Sequence, residues 1–146
     1  MIEDFFPSIL EMAGIESPSV SQEVDGISFV SLLKVEPYAH KDRSLIWYNP
    51  HKWTATDGPG INYFSAIRQG NWKLIYDFKK EKLELYDYSQ DIGEHGNLIR
   101  KHRATALKLA KSLTTQLKAW NVVLPTYKST GKSLPWPDEK AHSLSL

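Results

Sequence analysis

Cysteine is absent from all 146 residues, which removes disulfides, thiolate metal sites and cysteine nucleophiles together. No run of about 18 apolar residues occurs, so no segment reads as a membrane-spanning helix. The start, Met1-Ile2-Glu3-Asp4, places acids where a secretory leader carries bases, and Pro7 and Glu11 break its apolar stretch. An excess of one charge is also missing: 18 Lys and Arg stand against 17 Asp and Glu, a net charge of +1. A balance this even argues against a nucleic-acid binder, which neutralises phosphates with a basic stripe. Phosphate-cradling glycine loops, the Gly-x-Ser-x-Gly elbow and helical His pairs for zinc are likewise lacking.

What is present reads as a folded chain. A hydrophobic share of 41% with so small a net charge excludes a disordered one. At this length a chain buries roughly 68–70% of the surface its unfolded form exposes, enough for one core. Residues 4 to 13 read as a short helix, with Asp4 placed to cap it, Pro7 in the first turn and Gly14 as its stop. Its apolar positions, Phe5, Phe6, Ile9, Leu10, Met12 and Ala13, cover more than one face and ask for burial on two sides. A turn-rich connection leads to a second short helix over 27–34, with Phe29, Leu32 and Leu33 expected to face inward.

From residue 44 the hydrophobic period changes to two. Strands are expected over 44–48, 62–69, 72–77 and 83–87, joined by short polar turns such as Gln69-Gly70-Asn71 into an antiparallel meander. A long helix follows from His102 to Trp120, its stripe of Ala106, Ala110, Leu113, Leu117 and Trp120 recurring at threes and fours. The fold class is therefore α+β: a four-stranded antiparallel sheet packed on a long helix, preceded by short helices. An extended tail is expected from about residue 121.

Candidate chemistry is sparse. Asp87, Asp91 and Glu94 could form a carboxylate metal site, but in a strand-exit loop such residues more often cap backbone groups. Of five histidines, His51 is the most suggestive, because it follows a strand end, where binding residues tend to sit. An exposed loop histidine is the ordinary alternative. The aromatics Trp47, Trp53, Tyr63, Trp72, Tyr86 and Trp136 could stack on sugars, with Trp53 and Trp136 expected to be exposed and Trp72 in the core.

Several segments, in one order, resemble the C-terminal part of type I sulfatases, the formylglycine-dependent members of the alkaline phosphatase superfamily. They are Asp4-Phe5-Phe6-Pro7 through Gly14-Ile15, Asp25-Gly26-Ile27-Ser28-Phe29, Ala66-Ile67-Arg68-Gln69-Gly70-Asn71-Trp72-Lys73-Leu74, Leu83-Glu84-Leu85-Tyr86-Asp87, and then Asp91, Glu94, Asn97 and Leu98. The resemblance implies that residues 1–36 end a large α/β domain lying upstream, and that 37–146 form the small α+β subdomain. It implies a sulfuric ester hydrolase acting on sulfated carbohydrate, with a periplasmic or extracellular parent enzyme. The nucleophile motif, Cys or Ser in Cys/Ser-x-Pro-Ser-Arg, has no match here, nor has the Asp and Asn set for calcium, so both belong to the upstream domain and no catalytic or metal residue is carried over. By the same resemblance the stretch Tyr48-Asn49-Pro50-His51 matches a His-Tyr-Pro-His loop reaching the substrate cleft, which makes His51 a substrate-side contact and leaves Tyr48 where the first histidine stands. The expected partners are the upstream domain and a sulfated glycan, with no nucleic acid and no membrane. Self-association through the first helix is also expected. A stand-alone carbohydrate- or protein-binding module, and a fragment of a related phosphodiesterase, are the competing readings.

Overall fold

The computed structural model describes residues 1–15, 19–40, 42–52 and 62–143. They fall into two compact units, Met1–Asp42 and Arg43–Leu146. In the first unit a 3-10 turn at Ile2–Asp4 runs into helix α1 (Phe5–Met12), and a single helical turn, α2, spans Val30–Leu33. Asp4 is buried, but it makes no side-chain cap of α1. Its carboxylate instead accepts the Ile27 amide proton at 3.0 Å, and Ser8 Oγ accepts that of Phe29 at 3.0 Å. These two bonds fasten the segment 25–29 against the start of α1. Gly26 lies in that seam, where a Cβ would sit 2.0 Å from the Glu3 carbonyl oxygen, so only glycine fits. Phe29 packs edge-on against Phe5, with ring centroids 5.3 Å apart. Leu32 and Leu33, expected inward, are exposed, and Val30 is the buried residue of α2. The helix is one turn long, so it buries one side, and Val30 occupies that side.

The second unit is the predicted meander: β1 (Ser44–Asn49), β2 (Phe64–Gln69), β3 (Trp72–Asp77) and β4 (Lys82–Asp87), paired in chain order and antiparallel throughout. Gly70, with φ of 57°, leads the two-residue turn between β2 and β3, where a primed turn needs a left-handed residue. The register aligns Ile46, Ile67, Leu74 and Leu85 in one row, and Tyr48, Ser65, Tyr76 and Leu83 in another on the same face. That face carries the main core against helix α3 (Arg103–Ala119), which supplies buried Ala106, Leu109, Ala110, Leu113 and Leu117. Trp120, expected on the stripe, is exposed because the helix ends at Ala119 and the chain turns away. The opposite face has a smaller cluster of Ala66, Ile75 and Tyr86, flanked by Trp47 and Phe64.

The tail differs from the extended segment expected. Thr126 and Ser133 form an antiparallel bridge, and helix α4 spans Pro137–Ser143. Thr114 Oγ1 donates to Asp138 Oδ1 at 2.8 Å and accepts from the Asp138 amide at 3.1 Å, which locks α4 onto α3. Leu124, Leu134 and Ala141 complete the main core, and the half-buried Trp136, expected to be exposed, packs on it too. Among the described residues no helix is long and apolar enough to cross a membrane.

Candidate functional site

The loop leaving β4 gives each of its suggestive residues a structural task. Asp87 Oδ1 accepts the amide and hydroxyl protons of Ser89, at 2.9 and 2.7 Å. Asp91 Oδ2 accepts the Gly96 amide at 2.8 Å, and its other oxygen lies 3.2 Å from His95 Nδ1. Hydrogen bonds from the Gly96 and His95 backbone hold the Asp91 carboxyl below its ordinary pKa. Asn97 Oδ1 accepts from Leu85 and Ile99 amides at 3.1 and 3.0 Å, while the Leu98 amide donates to the Leu85 carbonyl at 2.8 Å. Asn97 and Leu98 thus close the free edge of β4, while Asp91 ties the loop to itself. Asp87 and Asp91 cap backbone groups, as residue type alone favoured, and Glu94, expected to do the same, does not.

Glu94 instead reaches across to Lys73 on β3, with Nζ to Oε1 at 2.6 Å, and accepts a short hydrogen bond from the Tyr88 hydroxyl. Lys73 also donates to the Tyr88 oxygen at 3.1 Å, and the Arg68 guanidinium lies 4.7 Å from the Tyr88 ring centroid. Burial alone would lower the lysine and raise the glutamate, but the mutual hydrogen bonds outweigh it. The Lys73 pKa therefore rises and the Glu94 pKa falls. Tyr86 beside them is pushed up to about 12, chiefly by burial and then by Glu84. Sequence reasoning missed this cluster, because its members are 21 residues apart and only strand register brings them together. A lysine on β3 whose alternate neighbours are apolar was the available signal.

His51 is exposed two residues beyond β1, and its carbonyl accepts the Tyr63 amide at 3.3 Å. Tyr48 packs edge-on against Phe78 and its hydroxyl donates to the Val123 carbonyl. It therefore faces the core on the α3 side of the sheet. Trp72, expected in the core, is half-buried and packs against it, its ring 4.9 Å from that of His102. Trp53 lies outside the described residues. Among the described residues no group of three or more His, Cys, Asp and Glu is placed to hold a metal ion.

Residues 1–122 match the family described as N-sulphoglucosamine sulphohydrolase, C-terminal. The chain belongs to that family. A sulfatase of Formosa agariphila is 32% identical over 147 residues, which cover 94% of this chain and 26% of that protein. An N-acetylglucosamine-6-O-sulfatase of Bacteroides thetaiotaomicron is 30% identical over 100 residues, 67% of this chain and 17% of that protein. Among solved structures, an enzyme bound to its substrate D-glucosamine-2-N,6-O-disulfate superposes with a TM-score of 0.56 at 23% identity, over 81% of this chain and 24% of that one. This C-terminal sulfatase domain thus spans about a quarter or less of the proteins it matches.

Proposed function

We propose that this domain serves a carbohydrate sulfatase by buttressing an upstream catalytic domain and completing one wall of its substrate cleft, and that it is inert alone. In this reading residues 1–36 end the large domain and 37–146 form the small one. The upstream domain holds the nucleophile and calcium, and a periplasmic or extracellular enzyme meets a sulfated glycan. The observation that carries the reading is the family match over residues 1–122 in a chain covering 26% of a sulfatase 32% identical to it. Phe5, Phe6, Ile9 and Met12 are exposed along α1, beside a groove of about 610 Å³ lined by Phe6, Leu10 and Val24. The upstream domain covers that apolar surface, and without it the chain self-associates. His51 contacts the substrate from the loop after β1.

The test is an aryl sulfate assay with calcium on the 146-residue chain, alone and joined to the catalytic domain of its parent enzyme. No turnover alone and turnover when joined is the expected pair. Hydrolysis that purifies with the lone chain refutes the buttress reading. In the joined protein, H51A raising KM with little change in kcat supports the contact, and unchanged kinetics removes it.

A further inference from the structure

The net charge of +1 conceals a segregation. Between His95 and Pro137 the chain has eight lysines and arginines and no acid; the remainder has ten against all seventeen acids. Helix α3 displays this charge on one side. Lys108, Lys111, Thr115 and Lys118 recur at three, four and three, all exposed but the ammonium of Lys118 lies over the Trp136 ring at 4.9 Å. Arg100, Lys101 and Arg103 add three exposed cations at the head of the helix, Arg103 about 140° around the axis from Lys108. Among the described residues none of Arg100, Lys101, Arg103, Lys108 and Lys111 forms an ion pair. Other lysines of the same unit, Lys73, Lys80, Lys82 and Lys140, each have an acid. Among the described residues the row is thus left uncompensated, as are Lys128 and Lys132 in the acid-free stretch that follows it, while these four are paired.

At its head the row meets a cavity of about 340 Å³, walled by Ile99, Ala106, Leu107 and Ala141 and flanked by Arg100 and Arg103. A guanidinium pair beside an apolar wall suits a sulfate on a sugar ring, since the planar fork binds two oxygens of a tetrahedral oxyanion at once. From Arg103 to Lys118 the helix rises roughly 22 Å at 1.5 Å per residue. That length exceeds one small anion and fits a chain.

We infer that the outward face of α3 and its head cavity form a binding track for a polymeric sulfated glycan, with Arg100 and Arg103 seating one sulfate group. The inference rests on the sulfatase reading for its choice of glycan over nucleic acid. A polymer held on the track is present at a raised local concentration.

Calorimetry on the 146-residue chain tests it, with dextran sulfate, unsulfated dextran and a DNA duplex as probes. Dextran sulfate is expected to bind, with log K falling linearly in log salt, and dextran is not. R100Q/R103Q and K108Q/K111Q each weaken binding about tenfold and reduce the salt slope by roughly two. K80Q/K82Q removes equal charge from cations paired with Asp77 and Glu84, and changes affinity less than about twofold. All six positions are exposed, so thermal melts should coincide. No binding at low salt, or equal loss in the control pair, overturns the track; tighter binding of the duplex reassigns the face to nucleic acid. Binding is read without turnover, so its failure leaves the buttress reading standing, and a failed joined-protein assay leaves the track standing.

Discussion

Replacing Asn97 with alanine is the sharpest probe of how the sheet is finished. Its side-chain oxygen is shared by two backbone donors, Leu85 at 3.1 Å and Ile99 at 3.0 Å. The two are not equal. Leu85 is fully buried in β4, so its amide, once orphaned, has no solvent replacement and costs about 1–3 kcal/mol. The Ile99 bond is exposed, and water substitutes for the lost acceptor at little cost. The total is about 2 kcal/mol. With a urea m-value of roughly 1–3 kcal/mol/M, the midpoint should fall by about 1 M, read from far-UV circular dichroism. Asn97→Asp keeps the acceptor but turns the 3.4 Å bond to the Leu83 carbonyl into a contact between two acceptor oxygens, so it should recover only part of the loss at neutral pH. An alanine variant as stable as the parent, or an aspartate variant as weak as alanine, refutes the claim that this oxygen closes the edge.

Other outcomes follow from the same structure. Glu94→Gln should cost about 1 kcal/mol at neutral pH, since the pair with Lys73 is only partly exposed. The glutamate pKa is lowered in the fold, so this contribution is present above the unfolded value of about 4.3 and fades as pH falls through the native one. Parent and variant should therefore converge in acid urea titrations, and a constant gap would contradict the pairing. Ultraviolet titration of the phenols should show a tyrosine ionising at about 12 that disappears in Tyr86→Phe. Because that value lies above the unfolded one, its stabilising share is present below about 10 and is lost as pH rises toward 12. Gly26→Ala pushes a Cβ to 2.0 Å from the Glu3 carbonyl and should cost about 1–3 kcal/mol in the first unit. Amide exchange at Ile27, whose proton Asp4 accepts, is the readout, and unchanged protection would show that the seam yields.

The meander was legible because strand period and turn chemistry agree: Trp72 to Asp77 alternates, and Gly70 supplies the left-handed turn. Helix α3 was legible from Ala106, Ala110, Leu113 and Leu117, all buried as the spacing requires. Trp120 misled because an apolar residue in phase with a stripe does not show that the helix persists that far. Leu32 and Leu33 misled likewise, since a single turn cannot bury three neighbours. Asp4 sits where caps sit, yet its carboxylate is taken by Ile27, 23 residues away, a contact that local pattern does not encode. The Lys73, Tyr88 and Glu94 cluster was hidden for the same reason. The charge row was visible in the letters but masked by the total: a sum over the whole chain erases where the charges lie.

The stretch beyond residue 122, outside the span of the family match, puts Leu124, Leu134 and Ala141 into the same interior as Ile67 and Leu113. Homology and physics therefore place the boundary of this unit in different places. Because α4 leaves the ribosome last, the main core lacks Ala141 until synthesis is nearly complete. A chain trimmed at residue 122 would keep the whole span of the family match and lose three residues of its core.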